Sequence, residues 1–148
     1  MTELEKLSCK TACQDLLSSL CVALDAHDSD RAIKLFSNDA VLVTTGGELR
    51  GEAVRSALRN RPHNVVTRHI ISNVLITPIT STAAVGEAYC ILYSVRRTDG
   101  IDNVPALPAT PQALGEFRLE FQQNEDGWKL CRYESVPVLI APPLTRNA

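Results

Sequence analysis

The residue best suited to acid–base chemistry is His69, which lies inside the longest β-branched stretch of the chain, residues 65–76. An imidazole takes up and releases protons near neutral pH, so it can serve as a general base or acid. Both alternate rows of this stretch are largely apolar, which predicts a strand covered on both faces and a histidine that points into the interior. Arg68, Ser72 and Asn73 add more polar groups than a plain core strand needs.

A second candidate is Asp25, at the edge of the apolar stripe of a helix predicted over residues 2–26. An acid in the last turn of a helix meets the negative end of the helix dipole, which is mildly unfavourable. A solvated helix end and a functional carboxylate both remain open from the local sequence. Asp28 or Ser29 is expected to cap the next helix. A metal site built from Asp25, His27 and Asp28 is disfavoured, because consecutive helical positions point in different directions.

The composition limits the class of protein. The 148 residues predict one domain with a real core, and 45% hydrophobic with 22% charged residues is ordinary for a globular chain. The net charge of −2 and the pI near 5.9 give no reason to expect nucleic acid or an anionic membrane as a partner. The sequence shows no apolar run of membrane-helix length and no signal-peptide core, so a cytoplasmic location is expected.

The five cysteines are an odd number and form no CxxC pair. Cys9, Cys13 and Cys21 share the first predicted helix, where they are expected to be small buried hydrophobes in a reducing compartment. A disulfide framework and a cysteine metal site are therefore both disfavoured.

The remaining pattern is that of three helices followed by long strands. Strands are predicted at residues 40–45, 65–76, 83–95, 114–123 and 128–136, with the third helix after Gly51. This order predicts an α+β fold, in which one strongly curved antiparallel sheet wraps around three N-terminal helices and encloses an apolar pocket. Residues 96–112 are predicted to be a lid or a subunit-contact loop, and the apolar tail at 136–148 is expected to lie across its own or a neighbour's surface.

Five segments occur in a recognisable order: LDAHD at 24–28, LFSNDAVL at 35–42, RGEAVRSAL at 50–58, TRHIISNVLI at 67–76 and GEFRLEFQQNEDGWKLCRYE at 115–134. Together they resemble the NTF2-like superfamily, in the branch that contains SnoaL-like proteins, scytalone dehydratase and lindane dehydrochlorinase. The resemblance implies a single SnoaL-like domain over residues 1–148 and a cone-shaped fold. It also implies a homotrimer or homodimer, a small apolar molecule in the pocket and no cofactor.

In the lyase members of this branch, an aspartate at the end of the first helix and a histidine on the central strand face the pocket as a dyad. The resemblance places this dyad on Asp25 and His69. It implies a cofactor-independent lyase or isomerase for a small apolar cyclic substrate, with His69 as general base, then acid, and Asp25 orienting its ring. Arg68, Asn73 and Tyr89 are the predicted polar contacts to the substrate.

The chain departs from both named lyases at their other site residues. The chloride-binding lysine of lindane dehydrochlorinase falls on Leu20 and its arginine partner near Gln122–Gln123. The second histidine of scytalone dehydratase has no counterpart at 83–95, so neither specific reaction is implied. The alternative is a non-catalytic ligand-binding or oligomer-forming domain, akin to the small subunits of ring-hydroxylating dioxygenases. An open pocket faced by the dyad would favour the lyase, and a filled cone the structural domain.

Overall fold

The computed structural model describes residues 1–97 and 104–142. Its elements in chain order are α1 (Glu3–Asp25), α2 (Ser29–Lys34), β1 (Phe36–Thr44), β2 (Gly47–Arg50), α3 (Glu52–Arg59), β3 (Val65–Pro78), β4 (Ala83–Arg96), β5 (Ala113–Asn124) and β6 (Gly127–Ile140). The six strands form one curved, unclosed sheet in the order β2-β1-β6-β5-β4-β3. The predicted α+β class, with a curved sheet and three N-terminal helices, is confirmed.

The helices begin where the local sequence supplies side-chain caps. Thr2 and Glu5 form a capping box at the start of α1, each side chain accepting a hydrogen bond from the other's backbone N–H. The Asp28 carboxylate accepts the backbone N–H of Arg31 at 3.0 Å and caps α2 as predicted. The apolar stripe of α1 is buried, and it consists of Cys9, Cys13, Leu16, Leu17, Leu20, Cys21, Ala23 and Leu24.

The sheet is not antiparallel throughout, which corrects the prediction. β1 begins at Phe36, four residues earlier than expected, and pairs in parallel with β6. The unpredicted strand β2 returns from the Gly46–Gly47 turn and pairs antiparallel with β1. A parallel pair needs a long connection, and the elements between β1 and β6 supply one that brings β6 alongside β1 in the same direction.

Strand β3 is an edge strand, and only one of its faces is covered, contrary to the prediction. Its register against β4 shifts between Ser72 and Leu75, where Asn73 has a φ of 53°. This bulge adds one residue to β3. The residues that face the helices are therefore odd-numbered before the bulge and even-numbered after it. Strict alternation across the bulge mixes the two rows, which is why both looked apolar in the sequence.

Alternate positions of β4 carry small residues, which allow close packing at one end of the sheet. Ala84, Gly86 and Ala88 are buried, and a Cβ added to Gly86 would lie 2.8 Å from Ile76 Cδ1 and 2.9 Å from Phe121 Cε2. These small residues therefore allow the close approach of Ile76 and Phe121 to the backbone of β4.

The C-terminal segment continues the sheet further than predicted. β6 extends to Ile140, which pairs with Ala113, so the first part of the expected surface tail is a strand. Residues 143–148 of that tail, and 98–103 of the predicted lid or contact loop, lie outside the described residues. Within the part of the chain that the structure describes, no helix is long and apolar enough to cross a membrane.

Candidate active site

Asp25 is fixed by the way α1 ends. The chain leaves the helix through a left-handed residue, His27, with a φ of 56°. The backbone N–H groups of His27 and Asp28 donate to the carbonyl oxygens of Leu24 and Ala23 at 3.3 and 2.9 Å. This pair of hydrogen bonds is that of a Schellman motif. Asp25 is therefore the last helical residue, and the contact between α1 and β3 places its side chain against that strand.

The inner face of β3 carries Thr67 and His69 at alternate positions. Residues two apart on a strand share a face, so both side chains point toward α1. Thr67 is a buried polar residue, with 7% of its surface exposed. The two side chains of the candidate pair, His69 and Asp25, are 10% and 13% exposed.

The carboxylate of Asp25 accepts three hydrogen bonds from β3. Its Oδ1 lies 2.6 Å from His69 Nδ1 and accepts the Thr67 hydroxyl at 2.8 Å. Its Oδ2 accepts the backbone N–H of His69 at 2.9 Å. Burying an ionised carboxylate is costly unless it is paired and hydrogen-bonded, and here both oxygens are engaged. The two candidate residues of the predicted dyad thus lie in direct contact.

This geometry assigns different tasks to the two ring nitrogens of His69. In a neutral imidazole one nitrogen donates and the other accepts, and a carboxylate beside Nδ1 favours the proton on that atom. Nε2 then carries the lone pair, and it has no hydrogen-bond partner within residues 1–97 and 104–142. The arrangement can remove a proton through Nε2 while Asp25 stabilises the imidazolium that forms.

Two thiols near Asp25, and a buried phenol near those thiols, are held in their neutral forms. Burial, followed by the neighbouring Cys90 and Asp25, raises the pKa of the Cys21 thiol to about 12. Burial and the Asp25 charge raise the pKa of Cys90 to about 11. Burial also raises the pKa of the Tyr133 phenol well above 10.0, and its ring packs against Phe117 with centroids 4.9 Å apart. At neutral pH these groups add no charge beside the carboxylate.

The three predicted substrate contacts are not brought together with the pair. Arg68 and Tyr89 are exposed and belong to the outer rows of β3 and β4, as the strand register shows. Asn73 forms the bulge and is also exposed. Their role as substrate contacts stays a prediction, and their side chains lie on the other side of the sheet from His69.

The three groups of the disfavoured metal site also point apart. Asp25 faces β3, Asp28 caps α2, and the ring of His27 lies 5.5 Å from that of His63. Their separation agrees with the divergence expected of neighbouring positions at a helix end.

Thr67 and Tyr133 were not predicted from the sequence as residues of the site. A signal for Thr67 was present, because the Thr-x-His spacing places both side chains on one face of a strand. Tyr133 gave no such signal, since its burial depends on packing against Phe36 and Phe117 from the two strands that flank β6. Only the folded sheet distinguishes this inner phenol from the outer Tyr89.

Comparisons with known proteins agree with this fold. The chain matches the family model described as a SnoaL-like domain over residues 5–134. No curated protein matches the chain. Among solved structures, a candidate aromatic ring hydroxylase from Novosphingobium aromaticivorans is 24% identical with a TM-score of 0.72, covering 94% of this chain and 93% of that one.

Two further solved structures have the same fold. The hexachlorocyclohexane dehydrochlorinase LinA-type3 from Novosphingobium barchaimii LL02 is 16% identical with a TM-score of 0.75, covering 97% of this chain and 95% of that one. A candidate scytalone dehydratase from Novosphingobium aromaticivorans is 18% identical with a TM-score of 0.71, covering 96% and 97%. At these identities the likeness concerns the fold alone.

Proposed function

The chain belongs to the SnoaL-like domain family, within the NTF2-like superfamily, and on that premise we propose that it is a cofactor-independent lyase or isomerase. Its substrate is a small, apolar, cyclic molecule. The observation that supports this proposal most directly is the 2.6 Å contact between Asp25 Oδ1 and His69 Nδ1 in a nearly buried setting. A carboxylate held on Nδ1 prepares the opposite nitrogen to act as a base.

The proposed reaction is an elimination. His69 Nε2 removes a proton from the carbon next to the one that bears the leaving group. The electrons of that C–H bond form the new double bond, and the leaving group departs with its own bonding pair. Asp25 stabilises the imidazolium, which then returns its proton to a departing hydroxide or, if the leaving group is a halide, to solvent.

Substitution of the pair tests this proposal. The wild type is screened against cyclic β-hydroxy ketones and halogenated cyclohexanes, including hexachlorocyclohexane, with detection of the alkene product. We expect His69→Ala and Asp25→Asn each to lower kcat about 10²- to 10⁴-fold, because general acid–base catalysis typically contributes that much. The matched controls are His63→Ala and Asp15→Asn, which change exposed residues of the same types. Turnover that survives His69→Ala would contradict the proposal.

A second candidate is a non-catalytic ligand-binding or oligomer-forming domain, like a dioxygenase small subunit. The observation that favours it is the outer face of the sheet, where Ile70, Leu75, Val85 and Tyr89 are 41–60% exposed. A cluster of exposed apolar side chains commonly marks a contact surface. We propose that this face joins copies of the chain into a homotrimer or homodimer, whichever function holds. The five free cysteines fit a reducing, cytoplasmic location.

A further inference from the structure

Thr67 is a buried polar side chain that the proposed reaction does not use directly. It lies two residues before His69 on the same face of β3, opposite Ser94 of β4. A buried hydroxyl needs a hydrogen-bond partner, and Thr67 finds it in Asp25 at 2.8 Å rather than in its own strand. Its contact is therefore with the carboxylate that holds the histidine.

The two side-chain donors share one oxygen of the carboxylate. Thr67 Oγ1 and His69 Nδ1 both approach Asp25 Oδ1, at 2.8 and 2.6 Å, while the His69 backbone N–H holds Oδ2 at 2.9 Å. With Oδ2 fixed by a backbone donor, the remaining freedom of the carboxylate is a tilt that moves Oδ1. The Thr67 hydroxyl opposes that tilt, and its β-branched side chain is stiff about χ1, so the donor itself is held in one direction.

We propose that Thr67 is the positioning residue of the pair. Its hydroxyl fixes Asp25 Oδ1 in line with His69 Nδ1, which keeps the ring proton on Nδ1 and presents the Nε2 lone pair to the ligand. The catalytic part of this inference rests on the proposed lyase function, whereas the effect on the tautomer of His69 does not. A purely structural Thr67 would stabilise the α1–β3 contact and leave the tautomer unchanged.

The first measurement is the ring ¹⁵N NMR spectrum of His69 in the full chain, recorded where the ring is neutral. Thr67→Val removes the hydroxyl and keeps a β-branched shape, whereas Thr67→Ser keeps the hydroxyl. We expect the wild type and Thr67→Ser to show the Nδ1–H tautomer, and Thr67→Val to show a mixture of Nδ1–H and Nε2–H forms. Thr77→Val, an exposed Thr→Val change on the same strand, is the matched control and should match the wild type.

The second measurement is the kinetics of the same variants on a substrate found in the His69 screen. We expect Thr67→Val to lower kcat by about tenfold or more with KM nearly unchanged, because misplacement of a catalytic group affects the reacting step more than binding. Thr67→Ser should restore most of the rate. If Thr67→Val does not fold, as judged by circular dichroism, Thr67→Ala replaces it in both measurements.

The two proposals fail in distinguishable ways. A wild-type tautomer in Thr67→Val overturns the positioning role, even if His69→Ala abolishes turnover. A shifted tautomer in Thr67→Val supports the positioning role, even if the wild type turns over nothing and the lyase function is rejected. A normal kcat in Thr67→Val beside an inactive His69→Ala variant would also overturn it.

Discussion

The two faces of β3, a strand at the edge of the sheet, differ in what they bury and what they expose. The inner face carries two polar side chains, Thr67 and His69, that are hydrogen-bonded to Asp25. The outer face exposes apolar groups, with Ile70 and Leu75 at 51% and 60%. On the inner face the hydrogen bonds to Asp25 offset the cost of burying polar groups, whereas a cluster of exposed apolar side chains such as that of the outer face commonly marks a contact surface.

The largest expected difference between the faces concerns stability. Ile76 is 3% exposed on the inner face and Ile70 is 51% exposed on the outer face of the same strand. Truncation of a buried isoleucine loses transfer energy and leaves a cavity, so we expect Ile76→Ala to lower the free energy of unfolding by about 2–5 kcal/mol. Ile70→Ala, its matched control, should change it by less than about 0.5 kcal/mol at low protein concentration. Urea denaturation measures both.

An equal decrease in the free energy of unfolding of the two isoleucine variants would mean that the two faces are equally buried in the monomer. A loss in Ile70→Ala that grows with protein concentration would instead sharpen the comparison, because only an assembled outer face responds to mass action.

A smaller effect is expected between pH 8.5 and 10.5, through the thiols behind the inner face. The pKa of Cys21 is about 12 in the folded chain and near 9.0 when unperturbed. Between these values the unfolded chain binds fewer protons than the folded one, so the free energy of unfolding falls as pH rises from 9 to 12. Each such thiol contributes at most about 1.4 kcal/mol per pH unit.

The variant Cys21→Ala isolates this contribution. Its free energy of unfolding, followed by urea denaturation between pH 8.5 and 10.5, should fall less steeply than that of the wild type. If the free energy of unfolding fell equally steeply with pH in the two proteins, water would reach Cys21 in the folded state.

The smallest effect on the folded monomer is expected on the outer face. Leu75→Asp places a charge on the proposed contact surface, where Leu75 is 60% exposed, so the monomer should tolerate it. We expect sedimentation velocity to show a shift from oligomer toward monomer, since burying an unpaired charge in an interface is unfavourable. Leu7→Asp, a similarly exposed leucine on α1, is the matched control. An unchanged oligomer in Leu75→Asp would place the subunit contact elsewhere.

Much of the fold followed from local sequence. The capping pair at Thr2 and Glu5, the Asp28 cap and the cysteine-containing stripe of α1 are features that short windows of sequence specify. The α+β class and the family followed from the order of the segments. The parallel pairing of β1 with β6 did not, because it joins segments about ninety residues apart whose pairing leaves no local pattern.

The candidate site divides in the same way. The sequence by itself determined that Asp25 ends a helix and that His69 lies on a long strand, because periodicity and family resemblance carry that information. Only the tertiary structure decided which face of β3 each side chain takes, since the bulge at Asn73 changes the phase of the alternation. It also decided the three hydrogen bonds to Asp25. Their donors lie 42 and 44 positions further along the chain, so the bonds depend on how α1 packs against the sheet.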